Sequence, residues 1–151
     1  MGEMIFKELA KEKESKEIKA LLIEDMEGEV VLLKKLLQNE TGFSDVKLVH
    51  ADSVSNGLEY LRKEKIDVIL TDLRLPDSVG LDTFKTLYNE FSDIPILILT
   101  SQHDEELAIK VLSEGAQDYI PKSYLDKKVL KRSIRYAIER QRFLQKKLIS
   151  R

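Results

Sequence analysis

The sequence has no cysteine and no tryptophan, and only two of its 151 residues are histidine. The absence of cysteine excludes a disulfide-stabilised scaffold and a thiol nucleophile. With His50 and His103 as its imidazole groups, the chain is also a poor candidate for a dedicated zinc site. No apolar run approaches the roughly 18 residues of a membrane helix, and the polar N-terminus has no secretory core. We therefore expect a cytoplasmic protein that does not contact a membrane.

The net charge of −2 is unevenly distributed along the chain. From Lys122 onward, eleven lysine and arginine residues accompany only Asp126 and Glu139, so this part carries +9 and the rest −11. Such a basic segment can bind nucleic acid or an acidic partner, or it can form a solvated helix face that complements an acidic body. Because no helix-turn-helix or winged module follows, we expect no direct contact with nucleic acid.

The length suits one compact domain with short extensions. Residues 1–17 form a polar leader, which we expect to be partly helical or disordered. Residues 18–138 alternate short apolar runs with helical patterns, which predicts a single folded domain. Residues 139–151 form a basic extension of the last helix.

Five short apolar runs predict β-strands, and a helical pattern follows each one. The runs span residues 18–23, 46–50, 66–71, 94–100 and 118–120. The third and fourth are apolar throughout, which indicates burial on both faces and hence a parallel sheet. Right-handed crossovers then predict a flavodoxin-like, doubly wound α/β fold with helices on both faces, and the common order of five strands in such a sheet is 2-1-3-4-5. Ligands bind such a sheet at the carboxyl ends of the strands, where the strand order reverses.

Small polar residues at the expected helix starts are typical N-caps. Asp52 or Ser53 precedes the second helix, the segment 101–104 precedes the fourth, and Ser123 with Asp126 precedes the last. Glycine favours the conformation that ends a helix, so Gly115 predicts the end of the fourth helix.

Three carboxylates follow strands that meet where the order reverses. Glu24 and Asp25 come directly after the first strand, and Asp72 follows the third. Like charges placed close together are costly unless a cation joins them. Oxygen donors without sulfur favour a hard cation, and a small number of protein ligands favours Mg²⁺ over Ca²⁺. The alternative interpretation is that each carboxylate is an ordinary polar residue at the start of a loop.

Two further polar residues are expected at the same edge of the sheet. Thr100 ends the fourth strand, and Lys122 follows the fifth. A hydroxyl donor and an ammonium group both suit phosphate oxygens. Together with the carboxylates they supply what phosphoryl transfer requires, because that chemistry depends mainly on positioning and charge neutralisation. Asp72 is then a candidate covalent acceptor.

These residues and their neighbours resemble the receiver domain of two-component response regulators, including chemotaxis regulators. The resemblance rests on five segments in chain order, which are residues 24–25, 69–76 with Gly80, 99–101, 115–116 and 118–122. It covers residues 18–138, which is nearly the whole chain.

The resemblance implies a role for each residue at this edge. Asp72 is implied to be the phosphoacceptor, Asp25 a direct Mg²⁺ ligand and Glu24 a ligand that acts through water. The backbone carbonyl of Arg74 is implied to complete the protein ligands. The phosphoryl group is implied to come from a histidine kinase or a histidine phosphotransfer protein. Phosphorylation would then control a partner or an output domain that is absent from this chain.

The resemblance also implies a conformational switch. Thr100 would bond the phosphoryl group, Lys122 would clamp it, and Tyr119 would turn inward on activation. The alternative role for Tyr119 is packing in an edge strand. One departure from the family is that Pro121 precedes Lys122, whereas the family often has proline after the lysine. We expect no enzymatic activity beyond self-phosphorylation from small donors and autodephosphorylation.

A phosphatase of the haloacid dehalogenase type is the principal alternative, because it also uses a strand-end aspartate as its nucleophile. That family has a second aspartate two residues later, where this sequence has Arg74. The alternative therefore matches fewer residues.

The last helix is expected to extend beyond the sheet. Positions along it step by four and three, at Leu130, Ile134, Ala137, Gln141, Leu144 and Leu148. This a/d spacing is typical of a coiled coil, and one helix of up to about 27 residues is predicted from Ser123 onward. We expect the part up to Ile138 to pack on the sheet. The outer part, with nothing of its own domain to cover, would form a homodimer or lead to an output domain.

Overall fold

A computed structural model describes residues 17–38, 45–101 and 104–149, without the side chains of the last two. The strands are β1 (Ile18–Ile23), β2 (Val46–Ala51), β3 (Val68–Thr71), β4 (Arg74–Leu75), β5 (Ser78–Val79), β6 (Ile96–Thr100) and β7 (Asp118–Pro121). The helices are α1 (Glu27–Leu37), α2 (Val54–Lys63), α3 (Leu81–Glu90), α4 (Glu105–Glu114) and α5 (Lys127–Ile149), with a 3₁₀ turn at Lys122–Tyr124. The predicted leader lies outside the described residues except for Glu17.

Five of the strands form one parallel sheet in the order β2-β1-β3-β6-β7. This confirms the predicted doubly wound order, since β6 and β7 are the fourth and fifth strands of the sheet. Ile23 pairs with Thr71 at the ends of β1 and β3, and Thr100 pairs with Pro121 at the ends of β6 and β7. The carboxyl ends of these four strands therefore lie along a single edge.

Two strands are shorter than predicted, and a small hairpin was not predicted. β3 begins at Val68 and β6 at Ile96, two residues later than expected in each case. Pro95 has no amide to donate, although its carbonyl accepts a hydrogen bond from the Ile69 amide at 2.9 Å. β4 and β5 pair antiparallel directly after β3. Strands of two residues are too short to produce a periodic signal in the sequence.

Helices cover both faces of the sheet. On one face, α1 and α5 bury residues against β1, β3 and β6, including Leu33, Leu37, Leu130 and Ile134. On the other face, α2, α3 and α4 bury residues that include Leu61, Phe84, Leu87 and Val111. Successive strand residues point to opposite faces, so β1 contributes Leu22 to the first core and Ile23 to the second. Each fully buried aliphatic side chain contributes about 1.5–3 kcal/mol to folding.

The predicted helix boundaries are largely confirmed. Ser53, Asp104 and Asp126 each accept a hydrogen bond of 2.8 to 3.1 Å from the backbone amide three residues later. Gly115 follows the last residue of α4 as predicted. The prediction that Ser123 shares the final cap is wrong, because Ser123 lies in the 3₁₀ turn and α5 begins only at Lys127.

The C-terminal helix α5 has 23 residues, which corresponds to roughly 35 Å at 1.5 Å per residue. The first three positions of its 4-3 pattern, Leu130, Ile134 and Ala137, have no exposed surface. The prediction that the inner part packs on the sheet is therefore confirmed. Within the described residues, no helix has the length and apolar composition that crossing a membrane requires.

The outer part of α5 also contacts its own domain, contrary to the prediction. Gln141 Nε2 donates to the carbonyl of Ser92, and Gln145 Nε2 donates to the carbonyl of Asp93, each at 3.3 Å. The expectation that this part has nothing of its own domain to cover is wrong, because the loop before β6 lies beside the helix. Leu144 remains 51% exposed, so the outer part of the pattern is only partly used within the domain.

Gly115 adopts φ +125°, a backbone conformation that residues with a side chain rarely adopt. An added Cβ would also lie 2.7 Å from the ring of Tyr88. We predict that Gly115→Ala lowers the free energy of unfolding by about 1–3 kcal/mol, as measured by urea denaturation. The control is Gly28→Ala in α1, where an added Cβ meets nothing within 4 Å. The control should be neutral or stabilise by up to about 1 kcal/mol; equal losses in both variants would contradict the prediction.

Candidate functional site

Four strand ends bring polar side chains to one edge of the sheet. Glu24 follows β1, Asp72 follows β3, Thr100 ends β6, and Lys122 follows β7. The Asp72 amide donates to the carbonyl of Ile23 at 3.2 Å, which continues the hydrogen bonding of the sheet past the end of β3. The backbone at the site is therefore positioned by the sheet itself.

Lys122 Nζ lies between two buried carboxylates. It is 2.8 Å from Glu24 Oε2 and 3.0 Å from Asp72 Oδ2, and Glu29 Oε2 lies at 3.6 Å. The exposed fractions of the side chains are 2% for Glu24, 9% for Asp72 and 11% for Lys122. Because one ammonium group faces more than one carboxylate, it compensates only part of the local negative charge.

Burial and charge act in opposite directions on the acid–base properties of this cluster. Burial raises the pKa of Glu24, and the hydrogen bond and positive charge of Lys122 offset this only in part. Burial by itself lowers the pKa of Lys122, but the hydrogen bonds and charges of Glu24 and Asp72 outweigh it and raise the pKa above its usual value. Lys122 is therefore a cation at neutral pH.

The second carboxylate oxygen of Asp72 is held by the backbone. Asp72 Oδ1 accepts a hydrogen bond of 3.0 Å from the amide of Arg74, the first residue of β4. The hydroxyl of Thr71 donates to the Asp72 carbonyl at 2.8 Å. One carboxylate oxygen thus contacts a cation and the other a fixed amide. This arrangement fixes the orientation of the Asp72 carboxylate.

Thr100 and Tyr119 lie on the neighbouring strands β6 and β7. Thr100 is 6% exposed and pairs with Pro121, directly before Lys122. Tyr119 lies two residues before Pro121 on β7 and pairs with Ile98. Its half-buried side chain packs against the core that the β-strands form with α2, α3 and α4. The structure therefore places Thr100 at the predicted edge and Tyr119 in a packed position nearby.

Asp25 differs from its neighbour Glu24, because its side chain is exposed. In the part of the chain that the structure describes, no three acidic or histidine side chains are grouped closely enough to hold a metal ion. The ammonium group of Lys122 lies between the carboxylates of Glu24 and Asp72. The role of Asp25 as a metal ligand stays a prediction.

Two residues that contact the site were not predicted from the sequence to do so. Glu29, in the first turn of α1, approaches Lys122 as described above, and His50 Nε2 donates to the backbone carbonyl of Glu24. His50 pairs with Leu22 near the end of β2, so it reaches the same edge of the sheet. In the sequence, the signal for this contact was the position of His50 at the end of the second predicted strand.

The family model for the response regulator receiver domain matches residues 20–135. The chain belongs to this family. The match includes residues 20–23 of β1, the other four strands of the parallel sheet and every strand end that contributes to the site, which confirms the resemblance inferred from the motifs. It gives no support to the alternative of a haloacid dehalogenase-type phosphatase.

Curated relatives of this receiver domain include regulators from several bacteria. The transcriptional regulatory protein CpxR of Escherichia coli K12 is 33% identical over 114 residues, covering 76% of this chain and 47% of the relative. The response regulator protein PilR of Pseudomonas aeruginosa is 31% identical over 104 residues, covering 69% of this chain and 22% of the relative. The chain therefore spans less than half the length of these relatives.

Solved receiver domains share its fold. A response regulator receiver domain protein from Clostridium thermocellum has a TM-score of 0.71 and 29% identity, covering 84% of this chain and 98% of that one. The non-phosphorylated HemR receiver domain from Leptospira biflexa has a TM-score of 0.66 and 28% identity, covering 80% of this chain and 94% of that one. Both matches support the receiver fold of this chain.

We predict that Lys122→Met lowers the free energy of unfolding by about 3 kcal/mol at pH 8, because Glu24 and Asp72 then stay buried without their cation. The loss should be smaller at pH 5. Without Lys122 the pKa of Glu24 rises further above its unfolded value, so the folded state retains a proton there. Stability therefore falls as the pH rises through that pKa. Urea denaturation at both pH values measures the effect.

Lys128→Met is the control for this prediction, since Lys128 is exposed on α5 and its loss should change stability by less than about 0.5 kcal/mol. The double variant Glu24→Gln/Lys122→Met should recover part of the stability lost in Lys122→Met. A loss that is independent of pH and unrelieved by Glu24→Gln would show that charge compensation is not its cause.

Proposed function

We propose that residues 18–138 act as the phosphoacceptor receiver domain of a two-component response regulator. Asp72 accepts a phosphoryl group from a histidine kinase or a histidine phosphotransfer protein, and the resulting change controls a partner or an output domain. The observation that carries this proposal is the strand-end carboxylate of Asp72 with the Lys122 ammonium 3.0 Å away. Membership of the receiver family supports the same chemistry.

In the proposed transfer, a carboxylate oxygen of Asp72 attacks the phosphorus atom of a phosphohistidine. A P–O bond forms and the P–N bond breaks, and the electron pair of the P–N bond remains on the donor imidazole. The product at Asp72 is an acyl phosphate. Water later attacks the phosphorus, which restores the carboxylate and releases inorganic phosphate.

Lys122 has a specific part in this reaction. The phosphoryl group adds negative charge beside Glu24, whose carboxylate is already buried. Lys122 is the cation that contacts both Glu24 and Asp72, so its ammonium can form a charge-assisted hydrogen bond to a phosphoryl oxygen. Neutralisation of this kind is a main source of catalysis in phosphoryl transfer.

Mg²⁺ is the proposed cofactor. The carboxylates of Glu24, Asp25 and Asp72 and the carbonyl of Arg74 form an oxygen-only donor set, which suits a hard cation. The single ammonium group of Lys122 faces the carboxylates of Glu24, Glu29 and Asp72, so negative charge at this edge remains for an additional cation to neutralise. When bound, Mg²⁺ supplies positive charge that neutralises phosphoryl oxygens.

Thr100 and Tyr119 are the proposed switch residues. The Thr100 hydroxyl donates a hydrogen bond to a phosphoryl oxygen on Asp72 in the phosphorylated domain. Because Thr100 pairs with Pro121 on β7, its displacement is transmitted to the strand that carries Tyr119. Tyr119 then turns from its half-buried packing position further into the domain.

The basic extension at residues 139–151 is proposed to connect this change to a homodimer partner or an output domain. Phe143 and Leu144 on the described part of the extension are 62% and 51% exposed, so apolar surface remains for such a contact. A cytoplasmic location, with no direct contact of this domain with nucleic acid or membrane, belongs to the same proposal.

We predict that Mg²⁺ and a small phosphodonor such as acetyl phosphate add one phosphoryl group, which mass spectrometry locates at Asp72. The Asp72→Asn variant should fold and remain unmodified, because an amide oxygen is a far weaker nucleophile than a carboxylate. The control is Asp82→Asn, which changes an exposed aspartate in the first turn of α3 and should be modified like the parent protein. Stoichiometric modification of Asp72→Asn would contradict the site assignment.

We also predict that Asp25→Asn weakens Mg²⁺ binding by roughly tenfold or more, because the site loses one charged oxygen ligand. Its stability without Mg²⁺ should be unchanged, since Asp25 is exposed. Isothermal titration calorimetry measures the affinity, again with Asp82→Asn as the control of equal charge. If both variants bind Mg²⁺ like the parent protein, Asp25 is not a ligand.

A further inference from the structure

The turn between β4 and β5 is tied to the start of another element. Asp77 lies in this turn, and its Oδ1 and Oδ2 accept hydrogen bonds from the amides of Val54 at 3.0 Å and Ser55 at 2.9 Å. These amides belong to the first two residues of α2. Both oxygens of one carboxylate therefore have a backbone partner 22 or 23 residues away in the chain.

The N-terminus of α2 needs such an acceptor, because the first amides of a helix have none within the helix. Ser53 Oγ satisfies the amide of Asn56 at 3.1 Å, and Asp77 satisfies the two that precede it. Burial by itself raises the pKa of Asp77, but hydrogen bonds from the amides of Ser55, Val54 and Asp77 itself outweigh this and lower it. The carboxylate is therefore ionised at neutral pH, as the positive end of a helix favours.

The same hairpin contacts the candidate acceptor at its other end. The amide of Arg74 in β4 donates to Asp72 Oδ1 at 3.0 Å. The amide of Gly80 donates to the carbonyl of Leu73 at 2.7 Å and closes the base of the hairpin. Each strand of the hairpin has only two residues, and isolated hairpins are marginally stable at best. The position of the hairpin therefore depends on tertiary contacts, of which Asp77 supplies two.

We propose that Asp77 is a positioning residue for phosphoryl acceptance at Asp72. By attaching the β4–β5 turn to the N-terminus of α2, Asp77 holds Arg74 in place. Arg74 in turn orients Asp72 through its amide and is proposed to offer its carbonyl to Mg²⁺. The inference rests on the proposed function, because it takes Asp72 to be the acceptor.

The test compares Asp77→Ala with Ser53→Ala, since each variant removes capping hydrogen bonds from the same helix and only the first also removes a contact of the hairpin. Three quantities are measured at a temperature at which both variants are folded. They are the amide chemical shift of Arg74 in the metal-free protein, the Mg²⁺ affinity, and the rate of Asp72 phosphorylation by acetyl phosphate.

Asp77→Ala should shift the Arg74 amide and lower both the Mg²⁺ affinity and the rate by about tenfold, as is typical when a residue that orients a metal ligand is lost. Ser53→Ala should also lower stability, but it should leave the Arg74 amide in place and change the affinity and rate by less than about twofold. Equal effects of the two variants on all three quantities would overturn the proposal, because a loss of helix capping would then explain them.

Asp77→Asn is the second variant, for use if Asp77→Ala proves too unstable. It keeps one side-chain oxygen acceptor. Its Arg74 shift, affinity and rate should lie between those of the parent protein and those expected for Asp77→Ala. Parent-like values in Asp77→Asn together with a normal Arg74 shift in Asp77→Ala would overturn the proposal. Failure of the parent protein to be phosphorylated at Asp72 would instead refute the proposed function, and the Arg74 shift would still test the contact.

Discussion

The compensation of buried negative charge by Lys122 is the interaction on which the rest of the site depends. Glu24 and Asp72 are both almost fully buried, and removing carboxylates from water costs several kcal/mol unless a cation is close. Lys122 provides that cation although it lies 98 residues from Glu24 in the chain. The parallel sheet makes the contact possible, because it brings the carboxyl ends of β1, β3 and β7 to one edge.

The same constraint makes the edge sensitive to additional charge. A group that adds negative charge at Asp72 increases the negative charge that Lys122 must neutralise. Lys122 immediately follows β7. That strand is paired with β6, whose last residue is Thr100, and it also carries Tyr119. Both faces of the sheet are closely packed, and packed cores transmit displacements rather than absorb them. In the proposed function this is how the chemical state of one carboxylate reaches the surface of the domain.

The C-terminal helix is a part of the domain over most of its length. Leu130, Ile134 and Ala137 are completely buried, so these positions of the 4-3 pattern are not available for pairing with another helix. Gln141 and Gln145 then cover the loop before β6 through hydrogen bonds to its carbonyl groups. The first part of a pattern that is typical of a coiled coil therefore completes the hydrophobic core of the domain itself. An intermolecular contact through the 4-3 pattern of α5 therefore has to use positions after Ala137.

The sequence by itself determined the strand order, the edge of the sheet that holds the candidate site, and the residues Glu24, Asp72, Thr100 and Lys122 at that edge. The strands and the residues that follow them come from local properties, namely apolar periodicity and the residue after each run, and the strand order follows from the rules for parallel sheets with right-handed crossovers. Only the tertiary structure decided that Lys122 lies between Glu24 and Asp72, that the outer part of α5 covers a loop of its own domain, and that Asp77 caps α2. Each of these contacts joins side chains to groups more than twenty residues away in the chain, and contacts at such separations depend on packing and leave no periodic pattern in the sequence.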